Sequence, residues 1–381
     1  MNAVNWPSSS VNAAARKATG GLLQRGLHLD GVLLALLTIL GGVGMIVLYS
    51  AFGGRIEPLQ SHLTRVGIGV AAMIVAAQFS PTRLERLSPW VYGGVLLLLI
   101  AVLVAGQIGG GARRWLDLGF FEFQPSELMK LALPMMVAWL MARTTLPIGF
   151  GFAALALAVI AVPAALIGLQ PDLGTAVLVG AAGAGVLFLA GVRWRIISAG
   201  VLLTCAAAPL LWVFGMQDYQ RERVLTFLDP GRDPLGAGYN IIQSQIAIGS
   251  GGLFGKGWLE GTQAHLNFIP EQHTDFVFAV LAEEFGLFGV IMLFALYLAI
   301  IGRGLWIAHH AQDNFSRLLA GGITLTFFVY AFVNLGMVSG LLPVVGLPLP
   351  LISYGGSSVV TLLAGFGILM SIHTHRRMWS S

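Results

Sequence analysis

Apolar runs long enough to cross a bilayer recur along this chain, near 31–52, 66–80, 90–108, 127–142, 147–168, 173–191, 195–214, 276–302, 316–338 and 354–373. Most approach the roughly 20 residues that a helix needs to span a hydrocarbon core. With 56% hydrophobic and only 10% charged residues, and a mean hydropathy of +0.82, the chain has too little polar surface to cover a soluble globule. We therefore expect an all-α integral membrane protein of about ten transmembrane helices, forming one polytopic domain over 31–375. The run at 66–80 is short and has to borrow length from its flanks. A long loop, 215–274, joins the seventh and eighth spans, and polar tails occupy 1–30 and 376–381. The run at 31–52 exceeds a signal-peptide core and no small-x-small cleavage site closes it, so it reads as a retained first helix.

Basic residues orient the bundle. With the amino terminus cytoplasmic, Arg16, Lys17, Arg25, Arg83, Arg86, Arg143, Arg193, Arg195, Arg303, Arg317, Arg376 and Arg377 lie inside, whereas the short outer loops hold only Arg55, Arg65, Arg113 and Arg114. An even number of spans then puts both termini in the cytoplasm. Most acids fall on the other side, among them Asp117, Glu122, Glu127, Asp172, Glu271 and Asp275. Chemistry is expected at the outer face, where no nucleotide is at hand. The glycine-rich run Gly249–Lys256 fails as a phosphate-binding P-loop, because Gly257 stands where Ser or Thr is required. The net charge of +4 is dispersed over the loops, which argues against a nucleic-acid partner. The single cysteine, Cys205, excludes an internal disulfide.

The chemically dense stretch runs from Phe268 to Glu284. Glu271, His273 and Asp275 precede an apolar run that itself holds Glu283 and Glu284, and charge inside a membrane span points to function by default. Asp275 has two readings. As a helix cap it would be stabilised as the anion; as a general base facing outward it would take a hydroxyl proton. Glu283 and Glu284 lie roughly 12–13 Å further along the helix, and a buried ion pair with Lys130 is the plainer reading for them. Elsewhere, Ser126 is a candidate cap for the fourth span. Glu127 and Lys130, three apart, can pair, or Lys130 can offer charge to a lipid headgroup. Arg113, Arg114 and Trp115 read as interfacial anchors or as a pyrophosphate grip. Asp172 is expected to cap the sixth span, and Lys256 belongs to a set of loop cations suited to phosphate. The run Leu342–Ser358, with three prolines and repeated glycines, cannot be a regular helix and reads as a broken segment walling a site.

Taken together, Arg114-Trp115, Gln124-Pro-Ser-Glu127-x-x-Lys130, Gln170-Pro-Asp-Leu-Gly-Thr175, Pro270-Glu-x-His-Thr-Asp275-Phe276 with Glu283-Glu284, and Leu351-x-Ser-Tyr-Gly-Gly356 resemble the SEDS family (shape, elongation, division and sporulation) over nearly the whole chain. Pro343–Pro350 resembles the elongation branch, which sets rod shape, more than the division branch. The resemblance implies a peptidoglycan glycosyltransferase of the bacterial inner membrane. Such an enzyme polymerises lipid II onto a nascent glycan strand at the outer face and works beside a class B penicillin-binding transpeptidase. It implies Asp275 as the catalytic carboxylate. With the residue readings above, it leaves a candidate substrate-binding set of Arg114, Trp115, Glu127, Lys130, Asp172, Thr175, Lys256, Glu271, His273, Thr274 and Ser353. The donor sugar is α-linked and the product β-1,4, so one base and a stabilised pyrophosphate suffice. Whether cations alone stabilise that pyrophosphate, or a divalent ion such as Mg2+ shares the task, stays open at this level. Glycine-rich spans such as Gly180–Gly185 are expected to open a groove for lipid tails. A lipid II flippase and a scaffold for the transpeptidase are the rival functions.

Overall fold

The computed structural model describes residues 26–109, 112–117, 122–144, 150–215, 218–229, 231, 238–266, 268–269 and 271–375. Most of both tails, with Arg16, Lys17, Arg25, Arg376 and Arg377, lies outside the described residues, as do Arg232, Asp233 and Pro270. Each of the ten apolar runs becomes a helix: α1 Gly31–Ala51, α2 Ile56–Ala77, α3 Pro81–Ala105, α4 Pro125–Ala142, α5 Phe150–Leu169, α6 Leu173–Leu189, α7 Trp194–Leu210, α11 Val277–His309, α12 Asn314–Val338 and α13 Ser357–Thr374. Seven of them are long and apolar enough to cross a membrane, which makes this a multi-pass membrane protein; α4, α6 and α7 are shorter or less apolar. α2 starts ten residues before its apolar run, taking the expected length from its amino-terminal flank. The long loop contributes α8 Asp218–Leu228, α9 Tyr239–Ser250 and the short α10 Thr262–His265.

The bundle is organised around α12, which packs against α11, α6, α4 and α13. α12 and α13 each bury 67% of their most apolar window, whereas α1, α2, α3, α5 and α11 bury 17–33% of theirs and turn the remainder toward lipid. Glycines set the closeness of several crossings. A Cβ on Gly183 would lie 2.7 Å from Ile160 Cγ1, and one on Gly185 would strike Leu325. Gly183 and Gly185 thus bring helices together, as small residues do in membrane interfaces, whereas a Cβ on Gly180 would meet nothing within 4 Å. Gln107–Gly109, Ala112–Asp117 and Glu122–Phe123 form a small antiparallel sheet, β1-β2-β3, on the approach to α4, with Gln107 opposite Trp115 and Leu116 opposite Phe123.

At the face where α1 begins and α13 ends, Asp30 caps α1 by accepting from Leu33 N at 2.7 Å. It also pairs with Arg303, and His373 Nδ1 lies 2.6 Å from its Oδ2. Burial alone would raise this carboxyl, but hydrogen bonds with His373 and Arg303 outweigh it and hold the group far below the usual carboxylate range. The stability it contributes is therefore complete at neutral pH and lost only in strong acid.

α11 is broken at Gly286, where φ is +62° and ψ −161°, a region that only glycine occupies without strain. The loop 251–257 docks into the break and takes over the backbone bonds the helix forgoes. Lys256 N donates to Glu283 O and Gly257 N to Glu284 O, while Leu287 N and Phe288 N donate to Gly252 O and Leu253 O. The run that superficially resembled a phosphate loop is therefore a splint for a discontinuous helix. A Cβ on Gly286 would collide with Gly255 N and approach Leu253 C to 2.8 Å. Gly286→Ala is expected to destabilise the protein by about 1–3 kcal/mol from backbone strain alone. Thermal unfolding of the purified variant checks this, and an unchanged Tm would mean that the loop is not locked to the break.

Candidate active site

The turn 271–276 is wound on one carbonyl. Thr274 N and Phe276 N both donate to Glu271 O, at 3.1 and 3.3 Å, and Thr274 Oγ1 bonds Glu271 Oε2 at 2.8 Å. The cap position of α11 is Phe276, with no side-chain cap bond, so the capping role weighed for Asp275 is not taken up. The tight turn places Asp275 one residue outside the cap, half-buried. Its Oδ2 lies 3.5 Å from where a Cβ on Gly346 would sit, and Gly346 has φ +72°. The positive φ is what calls for glycine there, since an added Cβ would meet the carboxylate only at ordinary van der Waals distance.

Gly346 belongs to the irregular segment expected between Leu342 and Ser358, and its course explains its prolines. It lies against α6 at Gly174, whose Cβ would be 2.6 Å from Val345 O, passes Asp275, and then lies against α1 at Gly44, 2.7 Å from Leu351 O by the same measure. Side chains from the bundle hold it. Asn334 Nδ2 donates to Leu347 O at 2.6 Å, and Tyr297 Oη to Pro350 O at 2.8 Å. Ser353, expected to touch substrate, instead accepts from Leu349 N at 2.7 Å with only 1% of its surface exposed. Its role is to close the turn around Pro350, and it leaves the set of substrate contacts. His273 accepts from Tyr354 N through its carbonyl at 2.8 Å, and its ring stands 5.3 Å from Phe52 and 6.2 Å from Tyr354. Arg65 stacks on the same Tyr354 ring at 4.6 Å.

Behind Asp275 sits a second polar group. Lys130 Nζ bonds Glu127 Oε1 at 2.7 Å and lies 4.2 Å from the centre of the Tyr330 ring, with both charged residues buried. The Tyr330 hydroxyl is within electrostatic reach of Glu127, Asp275 and Asp172, so these residues form one cluster. Pro125 opens α4 after the cap residue Gln124, which displaces Ser126 from the cap role expected of it. Asp172 does cap α6, accepting from Thr175 N at 3.1 Å; Thr175 itself is buried and serves through that backbone group. Gln124 Nε2 bonds Asp172 Oδ2 at 3.2 Å, Arg114 Nη1 lies 3.8 Å from the same oxygen, and Arg114 Nη2 donates to Pro171 O at 2.7 Å. β2 thus delivers Arg114 to the site, with Trp115 half-buried beside it on the same strand.

Lys256 and the intramembrane acids depart from expectation. Lys256 Nζ bonds Glu283 Oε1 at 2.7 Å and Thr262 Oγ1 at 2.8 Å, and Ser50 Oγ donates to Glu284. Glu283 is therefore neutralised by Lys256, not by Lys130. Lys130 lies with Glu127 instead, and Lys256 fixes the splint loop to α11 in place of facing a phosphate. Tyr330 and Asn334 are not evident from the sequence, where charged groups are what stand out inside apolar spans. The signal lay in the spacing of Tyr330 and Asn334, one turn apart on α12 in an otherwise apolar run. Among the described residues, no three His, Cys, Asp or Glu side chains converge to hold a metal ion.

A cavity of about 270 Å3 opens beside the cluster, lined by Arg114, Asp172 and Gln220 at its polar end and by Val177, Leu178 and Val333 among its apolar walls. The Val344–Gly346 stretch separates it from Asp275, with Val345 on the cavity side. A half-buried carboxylate beside an apolar cavity with an arginine at its mouth suits a substrate that joins a lipid tail to a charged headgroup.

Residues 30–378 match the FtsW/RodA/SpoVE family model, described as cell cycle protein. The chain is 54% identical over 354 residues to the peptidoglycan glycosyltransferase MrdB of Escherichia coli K12, covering 93% of this chain and 96% of that protein. Its fold is similar to that of the rod shape determining protein RodA of Thermus thermophilus, at 33% identity and a TM-score of 0.71 over 93% of this chain and 99% of the other. It is also similar to a chain from a peptidoglycan synthase complex described as coordinating polymerization and crosslinking, at 34% identity and a TM-score of 0.80, covering 92% of this chain and 99% of that one.

Proposed function

The chain belongs to the FtsW/RodA/SpoVE family of cell cycle proteins, and from that premise we propose that its Asp275 turn is the place where a peptidoglycan glycosyltransferase activates its acceptor sugar. The enzyme polymerises lipid II into β-1,4 glycan strands for cell elongation. The donor is α-linked to undecaprenyl pyrophosphate, so the displacement inverts the sugar carbon. Asp275 takes the proton of the acceptor 4-hydroxyl as that oxygen attacks, and the carbon–oxygen bond to the pyrophosphate breaks. Arg114 receives the departing pyrophosphate, and Lys130 lends positive potential from beneath. Glu271, His273 and Thr274 shape the acceptor side of the turn. The apolar cavity takes a length of isoprenoid tail. The turn lies at the outer face of the cytoplasmic membrane, with both termini inside. A class B penicillin-binding transpeptidase crosslinks the product; its kind of partnership is that of the similar chain from a polymerizing and crosslinking complex.

The observation that supports this reading best is the seat of Asp275: half-buried, one residue outside the helix cap on a tight turn, and beside the irregular 342–358 segment at Gly346. The test incubates the purified protein, alone and with its transpeptidase, with lipid II in detergent, and resolves products on a gel. Glycan strands are the expected result. Headgroup translocation in vesicles without polymer would replace the enzyme by a flippase, and neither activity would leave a scaffold.

A further inference from the structure

Asn334 lies in the middle of the site's architecture without touching the space a substrate would fill. It sits on α12, fully buried, in a helix that is otherwise apolar around it. Its side-chain nitrogen has two protons, and both are engaged by backbone carbonyls from segments far apart in the chain. One goes to Asp275 O at 2.9 Å and the other to Leu347 O at 2.6 Å. The presence of two carbonyl oxygens fixes which way the amide points, since the reverse orientation would set its own oxygen against both. Among the described residues, Asn334 Oδ1 has no hydrogen-bond partner.

The two carbonyls mark the two walls of the Asp275 seat. One belongs to Asp275 itself, and the other to the residue after Gly346, the glycine that faces its carboxylate. Leu347 also packs its side chain with Tyr330 and Leu178, one turn away on α12 and on α6. From this geometry we infer that Asn334 is a positioning residue: a single rigid amide that fixes the spacing between the Asp275 backbone and the 342–350 segment, and so sets where the carboxylate stands relative to the acceptor. The inference rests on the proposed role of Asp275 as base. No other side chain of that size supplies two donors from one atom across this gap. Leucine matches the volume but has none, aspartate has only acceptors when ionised, and glutamine moves the nitrogen outward by one methylene.

Displacing a reacting group by about 1 Å costs on the order of 100-fold in rate, so the expected signature is in turnover. Two variants decide the matter, assayed as purified full-length protein with its transpeptidase and lipid II. Asn334→Leu is expected to lower kcat about 100-fold with KM within about threefold of wild type, by the same argument. Asn334→Gln keeps both donors and should fold and bind the transpeptidase as wild type does, yet still lose kcat, because its donors are misplaced. A role in stability alone predicts the opposite for Asn334→Gln, namely retained kcat, and that result overturns the inference even where Asn334→Leu fails to fold. A kcat for both variants equal to wild type overturns it as well. Combination with Asp275→Asn separates this claim from the base assignment. Loss in Asn334→Gln with no further loss in the double variant supports positioning through Asp275. An active Asp275→Asn enzyme that is still impaired by Asn334→Gln overturns the positioning route along with the base.

Discussion

Asp275→Asn is expected to abolish glycan polymerisation while the protein still inserts, folds and binds its transpeptidase. The substitution exchanges one carboxylate oxygen for an amide nitrogen of nearly the same size, so the seat against Gly346 is kept. The helix loses no cap, because Phe276 holds that position without a side-chain bond. The anchoring bond from Asn334 reaches the backbone carbonyl of residue 275, which the substitution leaves untouched. What disappears is the capacity to accept a proton at the attacking oxygen, a contribution of about 10²–10⁴-fold for a general base. Asp275→Glu tests the same point from the other side: it keeps the base but pushes it a methylene closer to Gly346, and partial activity is expected. Lipid II polymerisation on a gel, with thermal unfolding and transpeptidase co-purification as controls, reads both variants. Full-length polymer from purified Asp275→Asn protein would remove Asp275 from the chemistry.

The sequence carries the spans because the bilayer is a uniform solvent: a run of apolar residues has the same meaning wherever it lies. It carries the irregular Leu342–Ser358 segment for an equally local reason, since three prolines cannot donate helix bonds. The Asp172 cap and the Glu127–Lys130 pair were legible too, because both join residues three apart on one helix. Contacts made across long chain separations were not. Lys256 reaches Glu283 from 27 residues away, and only the break at Gly286 lets its loop approach. The sheet before α4 escaped notice because its strands are short and lie within a glycine-rich loop. Ser126 and Asp275 failed as caps for steric reasons: Pro125 shifts the start of α4, and the turn wound on Glu271 O delays the start of α11. Asn334 was overlooked for a different reason. An uncharged amide barely lowers the hydropathy of a span, although burying it without partners is costly.

The second large effect is expected at Lys130, where structure and chemistry have to be told apart. Its ammonium is buried against Glu127 and over the Tyr330 ring. Lys130→Ala leaves the Glu127 carboxylate without its counter-charge, and breaking a buried pair in this way costs on the order of 3–5 kcal/mol. Lost activity in that variant alone therefore decides nothing. Glu127→Gln with Lys130→Met removes both charges and keeps the volume, a change that is often close to neutral for stability. If the pair were structural, this double variant would recover both fold and turnover. The electrostatic role predicts that it recovers the fold and not the turnover, because no positive potential remains beneath the departing pyrophosphate. A residual rate about 10²–10³-fold below wild type is expected, the range seen when one stabilising donor is removed from a transition state. Thermal unfolding establishes the first half and lipid II turnover the second. Wild-type turnover in a folded double variant would reduce Lys130 to an ion-pair partner and leave Arg114 alone with the leaving group.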